Sequence, residues 1–136
     1  MASTRKQVRD QLVTLFDADA TFNLVVGYKP AVLGAVTTKI LAVYTYQSRH
    51  ELMSAALRND FYSFVVDALA PRDDATSEDA LDAMHEAVRS VVKANVGDTT
   101  WSHLHLEEES TASFTEISGV PYRLERHILN VKVTGS

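Results

Sequence analysis

A chain of 136 residues fits one domain, 1–136, built around one hydrophobic core. Its 46% apolar and 23% charged residues exclude a disordered chain, a collagen or a coiled-coil array. Thirteen Lys and Arg against eighteen Asp and Glu give a net charge of −5 with His neutral, which argues against a dedicated nucleic-acid binder but does not exclude a duct through which DNA passes without sticking.

The first predicted element is a helix near residues 4–18. Thr4 and Gln7 have capping-box spacing, and Val8, Leu12, Leu15 and Phe16 form one apolar stripe at i, i+4, i+7 and i+8. Asp17 and Asp19 disfavour its continuation. From Phe22 to Thr38 the breakers Gly27, Pro30 and Gly34 interrupt any period. The apolar residues between them, Val32 and Leu33 included, need cover, so we read a long, partly extended connection over the core. Lys39–Gln47, rich in branched and aromatic residues, predicts the first strand. Ser48–Asn59 predicts a short helix or a mobile loop. Phe61–Leu69 predicts the second strand, stopped at Pro71, which has no ladder donor.

Asp73–Ser77 is an acidic polar turn, with Thr76 or Ser77 capping a second helix over 77–95. Leu81, Met84, Val88, Val91 and Val92 supply its apolar stripe, and Gly97 ends it. Trp101–Glu107 alternates as a third strand, placing Leu104 and Leu106 on one face and Trp101, His103 and His105 on the other. Glu107–Ser113 is an acidic loop, Phe114–Ile117 is extended, and Gly119-Val120-Pro121 marks a turn. Tyr122–Val133 is a long last strand. Tyr122 and Leu124 fall on even positions but Leu129, Val131 and Val133 on odd ones. Either a bulge lies near Arg126–Ile128, or the strand's first half meets another surface. The order α-β-β-α-β-β predicts an α+β fold: a mainly antiparallel four-stranded sheet with two helices packed on one face. Ser48–Asn59 and Glu107–Ser113 are expected to be the least ordered parts of an isolated subunit and to gain order at a contact.

The chemistry-bearing residues form no active site above background. There is no cysteine, hence no disulfide, thiolate zinc site or Cys nucleophile. His103 and His105 leave one strand face together, with His127 and Glu107 as possible companions, but two His on a strand are commonly polar residues of a solvated face. No nucleophile elbow and no phosphate-binding glycine loop is present. We therefore expect no catalytic, cofactor-binding or metal residues and no enzyme activity. Contact signals are stronger. Trp101, Tyr122 and Arg123 form one candidate interface patch and Leu52, Met53 and Leu57 another.

Four stretches carry a resemblance. They are the helix of Val8, Leu12, Leu15 and Phe16; the connection Tyr28-Lys29-Pro30 before a strand; the polar-capped helix from Thr76 through Leu81; and the closing Gly119-Val120-Pro121-Tyr122-Arg123 with Ile128–Val133. In this layout the chain resembles the tail terminator proteins of long-tailed bacteriophages, the family of the lambda-type minor tail protein that caps the tail tube. The resemblance covers nearly the whole chain. It implies a structural viral protein and a homo-oligomeric ring, typically a hexamer. Such a ring binds the last ring of tail tube protein, stops polymerisation and presents a face to the head-tail connector or neck. DNA passes through its lumen without specific binding, and Glu107, Glu108 and Glu109 are the candidate lumen residues. The implied location is the tail-neck junction of the virion, after synthesis in the host cytoplasm. The alternative is a small cytoplasmic α+β binding domain that oligomerises through its sheet. No run approaches the length of a membrane span and the N-terminus lacks a signal-peptide core, so no membrane partner is expected.

Overall fold

The structure is a computed structural model that describes residues 2–30, 38–54, 57–71 and 74–135. Its elements in chain order are α1 (Arg5–Asp17), β1 (Leu24–Val26), β2 (Ile40–Leu52), β3 (Arg58–Pro71), α2 (Asp74–Ala94), β4 (His103–Leu106), β5 (Thr111–Ile117) and β6 (Val120–Gly135). The class is α+β. The four-stranded expectation is corrected to a six-stranded mixed sheet, ordered β1-β2-β3-β6-β4 with β5 also paired to β6. Among the described residues only β1 runs parallel to its neighbour, over Leu24–Val26 against Ile40–Ala42; the other four pairings are antiparallel.

α1 starts as its sequence dictates. The Gln7 amide donates to Thr4 Oγ1 at 3.2 Å and the Thr4 amide donates to Gln7 Oε1 at 2.8 Å, closing the capping box. α2 starts at Asp74, ahead of the expected cap at Thr76 or Ser77. Acidic residues are favoured in a first helical turn by the macrodipole, so the polar stretch joins the helix, and Ser77 within it is buried. Val8, Leu12 and Phe16 from α1 and Leu81, Met84, Val88 and Val92 from α2 pack with Leu41, Val43, Phe64, Val66, Leu129 and Val131 in one core. Both helices thus lie on one sheet face.

The described part of Ser48–Asn59 is mostly strand, neither the short helix nor the mobile loop expected. Ser48–Leu52 extends β2 and Arg58–Asn59 opens β3, paired through to Leu52 opposite Arg58. The branched and aromatic character that ends at Gln47 in sequence does not end the ladder, because cross-strand pairing carries polar residues with it. Glu107–Ser113 is likewise shorter as a loop, since Thr111–Ser113 already belong to β5. Within the long connection after α1, β1 is a short strand; Val32 and Leu33 lie outside the described residues, as do Ala55, Ala56 and Asp73.

The two candidate explanations for the last strand are separated by its register. Every residue from Tyr122 to Gly135 pairs in unbroken sequence with β3, so there is no bulge in β6. The first half meets a second, smaller core on the opposite face, made of Ile40, Leu69 and Tyr122 with Ile117, Val120 and Leu124. The register shift lies instead in β2, between Thr45 and Gln47. It moves Gln47 and Arg49 onto the face of Ala42 and Tyr44, away from the helices. β4 and β5 share the same edge of β6 end to end, β4 against Leu129–Lys132 and β5 against Val120–Arg126. Ser118 (φ 51°) and Gly119 (φ 79°) join β5 to β6, the two left-handed residues of a tight hairpin turn.

Candidate functional site

Three loci carry exposed or unusual chemistry. The first is the β2–β3 hairpin tip. The amides of Met53 and Ser54 donate to the Leu57 carbonyl at 3.0 and 3.1 Å, and the Leu57 amide donates to Ser54 Oγ at 3.1 Å. This turn presents Leu52, Met53 and Leu57 at 75%, 59% and 50% exposure. Its base is braced. Arg5 Nη1 donates to Ser48 Oγ at 3.1 Å, and Oδ1 of buried Asp60 takes both Arg58 Nε, at 3.1 Å, and His50 Nδ1. β1 covers β2 only at Ile40–Ala42, so among the described residues β2 is an edge strand toward the tip.

The second locus is the open sheet face. A shallow groove of about 830 Å³ runs over Arg49, Phe61, Ser63, His103, His105, Asn130 and Lys132. The Arg49 guanidinium lies 4.3 Å over the Phe61 ring, and Ser63 Oγ donates to Asn130 Oδ1 at 2.6 Å. His103 and His105 are exposed, their rings parallel at 6.5 Å. Further along, buried Asp67 accepts from Tyr44 Oη at 2.6 Å and from Arg126 Nε and Nη2 at 2.9 and 3.0 Å. Burial and donation to this carboxylate push the Tyr44 hydroxyl up to about 12.

The interface patch expected at Trp101, Tyr122 and Arg123 is corrected. Trp101 precedes β4, so strand alternation does not govern it. It is 3% exposed in the main core, with its indole Nε1 donating to the Asn95 carbonyl at 3.0 Å. Tyr122 is fully buried in the second core. Arg123 lies on the helix face, where Nε and Nη2 donate to Glu78 at 2.8 and 2.6 Å and Nη1 donates to the Ser113 carbonyl at 3.0 Å. Its guanidinium also covers Phe114 at 4.3 Å. These residues knit α2, β5 and β6 within one subunit and offer no free anchor.

The third locus was not visible in the sequence. His127 does not join His103 and His105, because odd residues of β6 face the helices while the His pair faces away. Instead α2 lays His85 over Glu125 and His127 of β6. His85 Nδ1 lies 3.1 Å from Glu125 Oε2, and His127 Nε2 lies 3.9 Å from Glu125 Oε1. The two imidazoles are 5.4 Å apart, centroid to centroid. Ser110 Oγ donates to Glu125 Oε2 at 2.6 Å. His127 is 2% exposed and its Nε2 has no hydrogen-bond partner among the described residues. Burial pushes its imidazole down toward the neutral form, against the pull of the Glu125 carboxylate. A groove of about 660 Å³ opens onto this cluster between α2 and the β4–β5 connection, with Glu107, Glu108, Arg89 and Lys93 in its walls. Glu107, Glu108 and Glu109 are all exposed. Among the described residues no helix is long and apolar enough to cross a membrane. The sequence matches no protein-family model and no curated protein.

Proposed function

We propose that this chain is a ring-forming tail terminator, which caps a phage tail tube, stops its growth and joins the tail to the head-neck. The observation that carries the reading is the hairpin tip. Leu52, Met53 and Leu57 sit at half exposure or more on a turn whose base is fixed by Arg5, His50 and Arg58. A subunit gains nothing by holding such a cluster in water, whereas a ring needs one patch that meets a different patch on the next copy. With Trp101 and Tyr122 buried, the receiving patch in this reading is the open sheet face around Arg49 and Phe61. The acidic Glu107–Glu109 run then lines the lumen or its rim, where a basic lining would retain DNA through counterion release.

Electron microscopy of the purified protein, alone and with tail tubes, tests the reading. The expected result is a closed ring seated on the tube end, and overgrown or headless tails when the protein is deleted. Tails of normal length that still join heads in a deletion mutant would remove it. The open face also favours a second reading, a small binding domain that dimerises through the sheet; a dimer in place of a ring, with and without tubes, would establish that one.

A further inference from the structure

We propose that His85, Glu125 and His127 bind one divalent transition-metal ion, Zn2+ by donor type, which clamps α2 to β6. The donor set is two imidazoles and one carboxylate, a combination that suits zinc and leaves a further position for water from the groove. The ligand atoms all lie within 4.8 Å of one another. Zinc bonds of about 2.0–2.2 Å place tetrahedral ligand atoms roughly 3.3–3.5 Å apart. His85 Nδ1 lies 3.1 Å from Glu125 Oε2 and His127 Nε2 3.9 Å from Glu125 Oε1, one imidazole at each carboxylate oxygen, so side-chain rotation has to draw the three ligand atoms in from their 4.8 Å limit to that spacing.

Two further observations point to a ligand. His127 Nε2 is buried without a hydrogen-bond partner among the described residues and lies 3.9 Å from Glu125 Oε1, beyond hydrogen-bonding distance. A buried ring nitrogen left that way carries a desolvation cost that a metal ion removes. Ser110 Oγ already fixes Glu125 Oε2, as outer partners of metal-binding carboxylates do. When the ion binds, it takes the place of the proton between His85 Nδ1 and Glu125, and that imidazole carries its proton on Nε2 instead. The ion would join residues far apart in sequence, cross-linking the helix to the last strand beside the β4–β5 connection.

The test uses the untagged full-length chain, stripped with chelator, dialysed and titrated with Zn2+ and with Co2+. The expected result is one equivalent of either ion per chain, a cobalt visible spectrum of four-coordinate type, and a raised melting temperature. Full loss of His127 risks unfolding, so the decisive variants are His85→Ala, at a half-buried position, and the isosteric Glu125→Gln. Each should weaken binding by about tenfold or more with unchanged far-ultraviolet circular dichroism. The pair His103→Ala and His105→Ala should leave binding intact. No stoichiometric uptake by the wild-type chain would overturn the proposal, as would binding lost with His103 and His105 but kept in His85→Ala. The titration needs no ring, so its outcome is independent of the tail-terminator reading.

Discussion

Replacing Leu52 and Leu57 by Asp puts two charges on the hairpin tip and tests the proposed ring directly. At 75% and 50% exposure, both side chains keep much of their apolar area available for a contact. Full burial of a leucine contributes about 1.5–3 kcal/mol, so these fractions together put about 2–4 kcal/mol at stake in each subunit contact. At about 1.4 kcal/mol per tenfold change, that weakens one contact by about 30- to 700-fold, before any penalty for desolvating the new carboxylates. Each subunit of a closed ring makes the contact twice, once through each patch, so assembly should collapse to monomer at concentrations where the wild type is a ring. The fold should not suffer, because an exposed tip away from the core changes stability by only about 0.5 kcal/mol. Sedimentation velocity with parallel thermal melts reads both quantities. A double variant that assembles to the same mass at the same concentration would show that the tip is not the contact.

Further outcomes follow from the same geometry. Trp101→Ala should lower stability by about 3–5 kcal/mol in a denaturant titration, because the indole is 3% exposed and packed with Leu104 and Val92. Gly119→Ala should destabilise by about 1 kcal/mol, since Gly119 holds left-handed backbone (φ 79°) in the β5–β6 turn. The Tyr44 hydroxyl is raised from 10.0 to about 12, so its contribution is complete below pH 10 and is lost as pH rises toward 12. Alkaline melts should therefore fall more steeply for the wild type than for Tyr44→Phe over that window. If the tail-terminator ring forms, Glu107, Glu108 and Glu109 changed together to Lys should make it retain DNA with a salt-dependent affinity, measured by filter binding at two ionic strengths.

The helices and the main strands were legible because each carries a period strong enough to survive its tertiary setting. The stripe Val8, Leu12, Phe16 and the stripe Leu81, Met84, Val88, Val92 are buried as the spacing requires, and Thr4 with Gln7 caps as the motif dictates. Elements without their own period were not. β1 is a strand only through its pairing with Ile40–Ala42, and polar Ser48–Glu51 is extended only through its pairing with β3. Trp101 misled for a different reason. Alternation assigns a face only within a strand, and β4 begins at His103.

β6 shows how far a correct local observation can go. Its change of apolar parity marked a real change in surroundings, and the chain keeps its pleat while switching cores: Leu129, Val131 and Val133 lie under the helices, and Tyr122 and Leu124 against Ile40 and Leu69. That arrangement turns Arg123, Glu125 and His127 inward along the helix face, where their charges need partners. Glu78 answers Arg123, and His85 answers Glu125. The Nε2 of His127 faces a carboxylate oxygen at 3.9 Å and has no hydrogen-bond partner among the described residues, which leaves that nitrogen incomplete where Arg123 and Glu125 are paired. No spacing rule could have found this cluster, because His85 comes from a different element and meets Glu125 only where α2 crosses the sheet. The histidines that share a visible spacing, His103 and His105, are solvated and parallel, while those that share a site are separated by the whole β4–β5 region. Convergence of ligands from separate elements is what lets a bound ion restrain a fold, since it closes a long loop of chain rather than a single turn.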